Sequence, residues 1–402
     1  MKKFTLIIAL IGFVVFTSNA QTLEKVHSIV KQLKSFEWYA GQAELWQLEI
    51  HKDSTNADAW YNYYIANRMA NLTGKPEKWK YQKRGILTDL EQIVKEMEKN
   101  IPNTFEYNHV VWWNGGNDQA LASYLFKAVE LAPERPEVFD DLVTYYVLQN
   151  QREKVELYCK KWFESGDVSP GVLNMNYNML MSVEKDAIIF VNGDNDTFPK
   201  WILQYVQNIR PDVGVFNLSL LYVEEYANKL LSEYNIPQFK KSVKDFYTDE
   251  VKESGNYQIM YNSYQLALIE HIIHNCGERP AYFGSTLSNS IYSKFEDSLY
   301  VEGLAFRYSD CRYDNLAYLK KNIEQRFHLD YLSSEYIFDI SKSVVDHYHM
   351  NYILPFSTLY EHYTLAGDST KATWVKGMML DIAKKVGKLE EIESQLEAIS
   401  TE

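Results

Sequence analysis

From Ala187 to Trp201 the chain reads Ala-Ile-Ile-Phe-Val-Asn-Gly-Asp-Asn-Asp-Thr-Phe-Pro-Lys-Trp, an apolar strand running into a polar loop and then a helix. Ala187 to Val191 is continuously apolar, the pattern of a strand covered on both faces, and Asn192-Gly193 breaks it. Pro199 suits a first helical turn, where its missing N–H has no intrahelical partner, and Asp196 or Thr197 can cap the neighbouring amides. The predicted helix runs over 199–209 and stops at Arg210-Pro211, and 213–221 reads as a second strand. A right-handed βαβ crossover brings the carboxyl ends of both strands to one edge. Asn192, Asp194, Asp196 and Thr197 lie at the first of these ends, and Asn217 and Ser219 at the second. Open α/β sheets bind ligands along that edge.

Two chemistries fit the loop. Asp194 and Asp196, with oxygens from Asn192, Asn217 or Ser219, can hold Mg²⁺, Mn²⁺ or Ca²⁺, and the helix start beyond can accept a phosphate or sulfate. Equally, Asp and Asn fill tight turns, and one aspartate would cap the helix without any ligand. Arg279, Glu302 and Arg307 are further candidates for the same cleft, as an anion site or a carboxylate base. The alternative is a buried Glu–Arg pair that fixes the sheet, since charges on covered strands must be paired. Glu270, His271, His274 and Cys276 suggest zinc but lack the His-Glu-x-x-His order, and Cys276 falls on another helix face. Asp346-His-Tyr-His349 is a weaker version of the same pattern, and no Gly-rich phosphate loop, Gly-x-Ser-x-Gly elbow or Cys-x-x-Cys pair occurs.

Four blocks follow one another in fixed order: Asn-Gly-Asp-Asn-Asp-Thr-Phe-Pro at 192–199, Asn-Leu-Ser-Leu-Leu at 217–221, Arg-Pro-Ala-Tyr-Phe at 279–283 and Glu-Gly-Leu-Ala-Phe-Arg at 302–307. Together they resemble the soluble carboxyl-terminal region of a large uncharacterised membrane-protein family of gram-negative bacteria. The multi-spanning half of that family is similar to protein O-mannosyltransferases. The resemblance spans residues 170–385 and identifies a region. It implies no glycosyl transfer here, because the transferase-like residues of that family belong to its membrane half.

Residues 1–20 read as a signal peptide: Lys2 and Lys3, an apolar run from Phe4 to Phe16, and Ser18-Asn-Ala20 before Gln21. The expected product starts at Gln21 and is periplasmic or secreted, with no later stretch long enough to span a bilayer. A net charge of −13 disfavours nucleic acid or anionic lipid as a partner. Three cysteines, Cys159, Cys276 and Cys311, permit one disulfide at most, with Cys276–Cys311 and three separate thiols both open. Asp53-Ser-Thr, Asp297-Ser-Leu and Asp368-Ser-Thr have the form of short O-glycan acceptor sites, although turns are rich in Asp and Ser anyway.

Thirty-one Tyr, 19 Phe and 9 Trp either present sugar-stacking surfaces or serve as packing knobs of helical repeats. Spacing favours the second. Leu121, Leu125, Ala128 and Pro133, then Phe139, Leu142, Tyr146, Val155, Cys159 and Trp162, fit successive tetratricopeptide-like units, and Trp46, Trp60, Tyr63 and Tyr64 an earlier one. Trp60, Phe139, Tyr146 and Trp162 should therefore be buried between helices. Phe356, Leu359, Tyr363 and Ala372 repeat the pattern near the end. The fold class is α/β plus α, with helical repeats at 21–183 and 311–402 flanking a small, mostly parallel α/β domain at 184–310, and 238–256 a mobile excursion. The function expected is that of an exported, non-catalytic protein binding a protein or glycan of the cell envelope. The alternative is a metal-dependent enzyme or sensor of a cell-envelope glycan pathway, centred on Asp194 and Asp196.

Overall fold

A computed structural model describes residues 21–74, 88–334 and 339–401. The expected signal peptide lies outside them. Among the described residues eight α-helices come first: α1 (Phe36–Lys52), α2 (Ala57–Thr73), α3 (Thr88–Asn100), α4 (Phe105–Asn114), α5 (Ala122–Leu131), α6 (Phe139–Leu148), α7 (Arg152–Glu164) and α8 (Pro170–Met181). Local chemistry sets the turns between them. Asp53 accepts the Thr55 N–H at 2.9 Å, and Asn56 caps α2 by accepting the Ala59 N–H at 3.0 Å. Helices α1 and α2, α4 and α5, and α6 and α7 pack as pairs. Trp60 and Phe139 are buried as expected, whereas Tyr146 and Trp162 are half-buried.

The α/β part follows as β1 (Ile188–Val191), α9 (Asp194–Gln207), β2 (Gly214–Asn217), α10 (Glu224–Glu233), α11 (Asp249–Ser254), α12 (Tyr257–Asn275), β3 (Ala281–Gly284), α13 (Asn289–Phe295), β4 (Leu299–Val301) and β5 (Ala305–Tyr308). Strand order is β2-β1-β3-β5-β4, with β1 parallel to β2 and β3, and β5 antiparallel to β3 and β4. The sheet is therefore mixed, not mostly parallel. The cause is that the apolar run 299–306 is a hairpin and not one strand. It folds back at Glu302-Gly303-Leu304, where Gly303 has φ +138° and a Cβ would stand 2.6 Å from Ser182 Oγ.

Burial on both faces follows the strand period of two. Ile189, Val191 and Tyr282 join one core, and Ile188, Phe190 and Phe283 another. The second core includes α10, α12 and α13. The first is shared with α7, α8 and the last helices, α14 (Leu316–Lys321), α15 (Lys342–His349), α16 (Ile353–Leu365), α17 (Ser369–Lys385) and α18 (Leu389–Thr401). A third core holds the amino-terminal helices and buries Val26 of the extended segment before α1. The stretch 238–256 is packed and not a free excursion: Val251 is buried, and Phe239 and Phe246 meet Tyr264. All three cysteines are free thiols, with Cys276 buried and Cys311 exposed. No described helix is long and apolar enough to cross a membrane.

Candidate functional site

Helix α9 begins at Asp194, five residues before the expected start, so Pro199 lies inside it. A neighbour on α8 makes this tolerable. The Asn195 carbonyl, which an ordinary residue at 199 would have engaged, accepts the Asn176 carboxamide at 2.7 Å. At the helix start, Asp196 accepts the Asn192 N–H at 2.9 Å and the Gly193 N–H at 2.7 Å, and its Oδ2 also accepts the Thr286 hydroxyl from beyond β3. Asp196 thus ties the ends of β1 and β3 to the helix. Asn217 donates to Thr197 Oγ1 at 2.9 Å and accepts the Ser219 and Leu220 N–H groups at 2.8 and 3.0 Å, while Ser219 Oγ donates to the Asn192 carbonyl at 3.3 Å. The edge brings Asn192, Asp196, Thr197, Asn217 and Ser219 together as a local hydrogen-bond net. Beneath it, the fully buried Lys200 ammonium donates to Asn176 Oδ1 and the Asp196 carbonyl, each at 2.6 Å, and burial lowers its pKa to about 8.

Asp194 turns the other way. It lines a cavity of about 300 Å³ between α9, the amino-terminal helices and residues 25–31. Tyr61, Trp113, Trp162, Phe198 and Ile202 give this cavity aromatic and apolar walls, and Asp140, Asp141 and Asp194 give it acid groups. Asp194 is exposed and borders the cavity. Its carboxyl is pushed up to about 6, first by burial and then by Asp196 and Asp141. Asp140 is held well above the usual carboxylate range by burial and by the charges of Asp141 and Asp194. Asp141 is fixed by His109 Nε2 at 2.9 Å, and His109 Nδ1 lies 2.8 Å from the Tyr61 hydroxyl. His27 on the amino-terminal segment is lowered to about 4 by burial and by Lys25 and Lys31.

The remaining candidates lie elsewhere. Arg279 precedes β3, at the opposite end of the sheet, where it bonds the Asp186 carbonyl at 3.2 Å and covers the Tyr234 ring. Glu302 is fully buried and accepts Tyr282 at 2.7 Å and Tyr313, and burial raises its carboxyl. Arg307 bonds Glu184 at 2.8 Å and lies 4.0 Å from Glu302. These two form a sheet-fixing cluster and do not reach the cavity. His271 and His274 engage the carbonyls of Pro237 and Glu270, not each other. Among the described residues no three or more His, Cys, Asp or Glu side chains are placed to hold a metal ion, so Asp194 and Asp196 have no third ligand of that kind.

Asp140, Asp141 and His109 were not singled out from the sequence. The signal available was the adjacent acid pair in the first turn of α6, which any helix start can carry. Residues 172–238 match the family model TMEM260-associated domain 2. The match supports a TMEM260-related family and runs from α8 past the end of α10, so it contains Asp194, Asn195, Phe198 and Ile202 of the cavity wall. The blocks at 279–283 and 302–307 fall outside the TMEM260-associated stretch. No curated protein matches the chain.

Proposed function

We propose that this chain is an exported, non-catalytic binding protein of the cell envelope, which receives a protein or glycan partner at the junction between its helical part and its α/β part. The observation that carries this reading is the junction cavity, an apolar and aromatic hollow with a few convergent polar groups, the usual character of a ligand site. The sheet edge supports it indirectly, since the oxygens of Asp196 are engaged by three donors. A second reading, an enzyme or sensor of a glycan pathway working from Asp194, draws on the two raised carboxyls of Asp140 and Asp194, because shifted acids concentrate at reactive sites.

Thermal melting of the protein with envelope peptides, glycan fragments and nucleotide sugars, each with EDTA or with Mg²⁺, Mn²⁺ or Ca²⁺, separates the two. A native-state ligand at a hundred times its Kd stabilises by about 2.7 kcal/mol. The binding reading expects that gain to be independent of metal, and Asp194→Asn to abolish it without lowering the unliganded melting temperature. A gain that requires both a divalent cation and a nucleotide sugar favours the enzyme.

A further inference from the structure

Residues 21–34 run across the helical part without joining any helix or strand, yet side chains of four helices grip their main chain. Gln42 on α1 donates to the Thr22 carbonyl at 2.7 Å and accepts the Glu24 N–H at 2.9 Å. Trp46 Nε1 donates to the Glu24 carbonyl at 2.9 Å, and Asn62 on α2 accepts the Val26 N–H at 2.8 Å. Further along, Asn195 on α9 donates to the Val30 carbonyl at 2.7 Å, and Ser343 on α15 accepts the Leu33 N–H at 3.0 Å. Gln42 and Asn62 are both fully buried. Their carboxamides are matched to the N–H and carbonyl groups of a main chain lying over them. The groove is therefore built to hold a main chain, whatever side chains it bears.

Its present occupant offers few buried side chains. Val26 is the one residue of 21–34 that is buried, while Leu23 and Leu33 are exposed and the cavity remains open beneath residues 25–31. Tyr39 adds a hydrogen bond to the Gln32 carbonyl at 2.8 Å, Ile29 packs against the amino-terminal core, Lys25 lies 3.3 Å from Glu137, and Lys31 pairs with Asp167. Most of the hold is thus on the main chain, which any sequence offers, and the side chains add one buried apolar anchor and ion pairs that contribute little in water.

We infer that residues 21–34 are an internal peptide ligand, and that the groove exchanges them for a segment of a partner protein that follows the same path, extended over Gln42 and Asn62 and turned where residues 28–32 turn. That segment carries an apolar residue for the Val26 site and lysines for Glu137 and Asp167. The inference rests on the binding-protein reading and deepens it by naming the partner as a lysine-bearing peptide segment.

The test uses the full chain and a fluorescent synthetic peptide with the sequence of residues 21–34. Val26→Asp loosens the internal segment and leaves the groove intact. It is expected to bind the peptide about tenfold more tightly than wild type, because apparent affinity scales with the fraction of open groove. Asn62→Ala in the same chain removes the gain, and a scrambled peptide does not bind. A folded Val26→Asp chain with no gain overturns the inference. Should that variant not fold, amide exchange of the wild type decides. Glu24 and Val26 amides exchanging well ahead of those of α2 support a removable ligand, and exchange only with global unfolding overturns it. Peptide exchange without any partner-induced stabilisation upholds this inference and contradicts the binding reading. Asp194-dependent stabilisation without peptide exchange does the reverse.

Discussion

Asp194 and Asp196 stand two residues apart on one helix start, and their surroundings oppose them. Asp196 is buried and its carboxylate accepts three donors, so Asp196→Ala strands two main-chain N–H groups. The expected cost is about 2–4 kcal/mol, read as a lower urea midpoint with unchanged slope. Asp194→Asn removes a charge that the fold disfavours, so its melting temperature at pH 7 is expected to equal or exceed that of wild type. The pH dependence has a definite sign. With its pKa raised from 3.8 to about 6, the folded protein takes up this proton before the unfolded chain does. Acidifying from pH 7 to 5 therefore stabilises wild type relative to Asp194→Asn, and alkalinising through 6 removes the advantage. Melting both proteins across that range checks it, and a flat difference contradicts the shift. That an aspartate would cap α9 was legible from the sequence, because helix starts favour it. That its neighbour would meet Asp140 and Asp141 was not, because no local pattern couples α9 to α6.

At the scale of elements, the βαβ unit was legible because buried strands and a Pro-flanked helix leave strong local marks. The start of α9 was misplaced for a tertiary reason: Pro199 belongs at a helix start unless something else satisfies the freed carbonyl, and Asn176 on α8 does so. The β4–β5 hairpin was hidden inside a single apolar run, since its turn needs only Gly303. Gly303→Ala is expected to cost about 2–4 kcal/mol, through a strained φ and a clash with Ser182, whose Oγ also accepts the Leu304 N–H at 2.9 Å. Chemical denaturation reads this directly. A loss below about 0.5 kcal/mol, the range of ordinary surface changes, would mean the hairpin turn adapts freely.

For the molecule as a whole, one core runs through α7, α8, a face of the sheet and the last helices. Elements on both sides of the α/β region therefore share their burial, and the part from α7 onward is expected to unfold in one transition, with coincident far-ultraviolet circular dichroism and tryptophan fluorescence. Separate transitions for the sheet and the last helices would contradict that shared core. The junction cavity lies where this core meets the amino-terminal one, which suits it to a partner spanning both. The most direct measurement places a photoreactive phenylalanine at Trp113 in the cavity wall, with an exposed control at Trp374 on α17, in the native host. The account predicts a discrete protein or glycan adduct from position 113 that Asp194→Asn removes, and none from position 374. No adduct at 113, or equal labelling at both positions, would contradict a partner site at the junction.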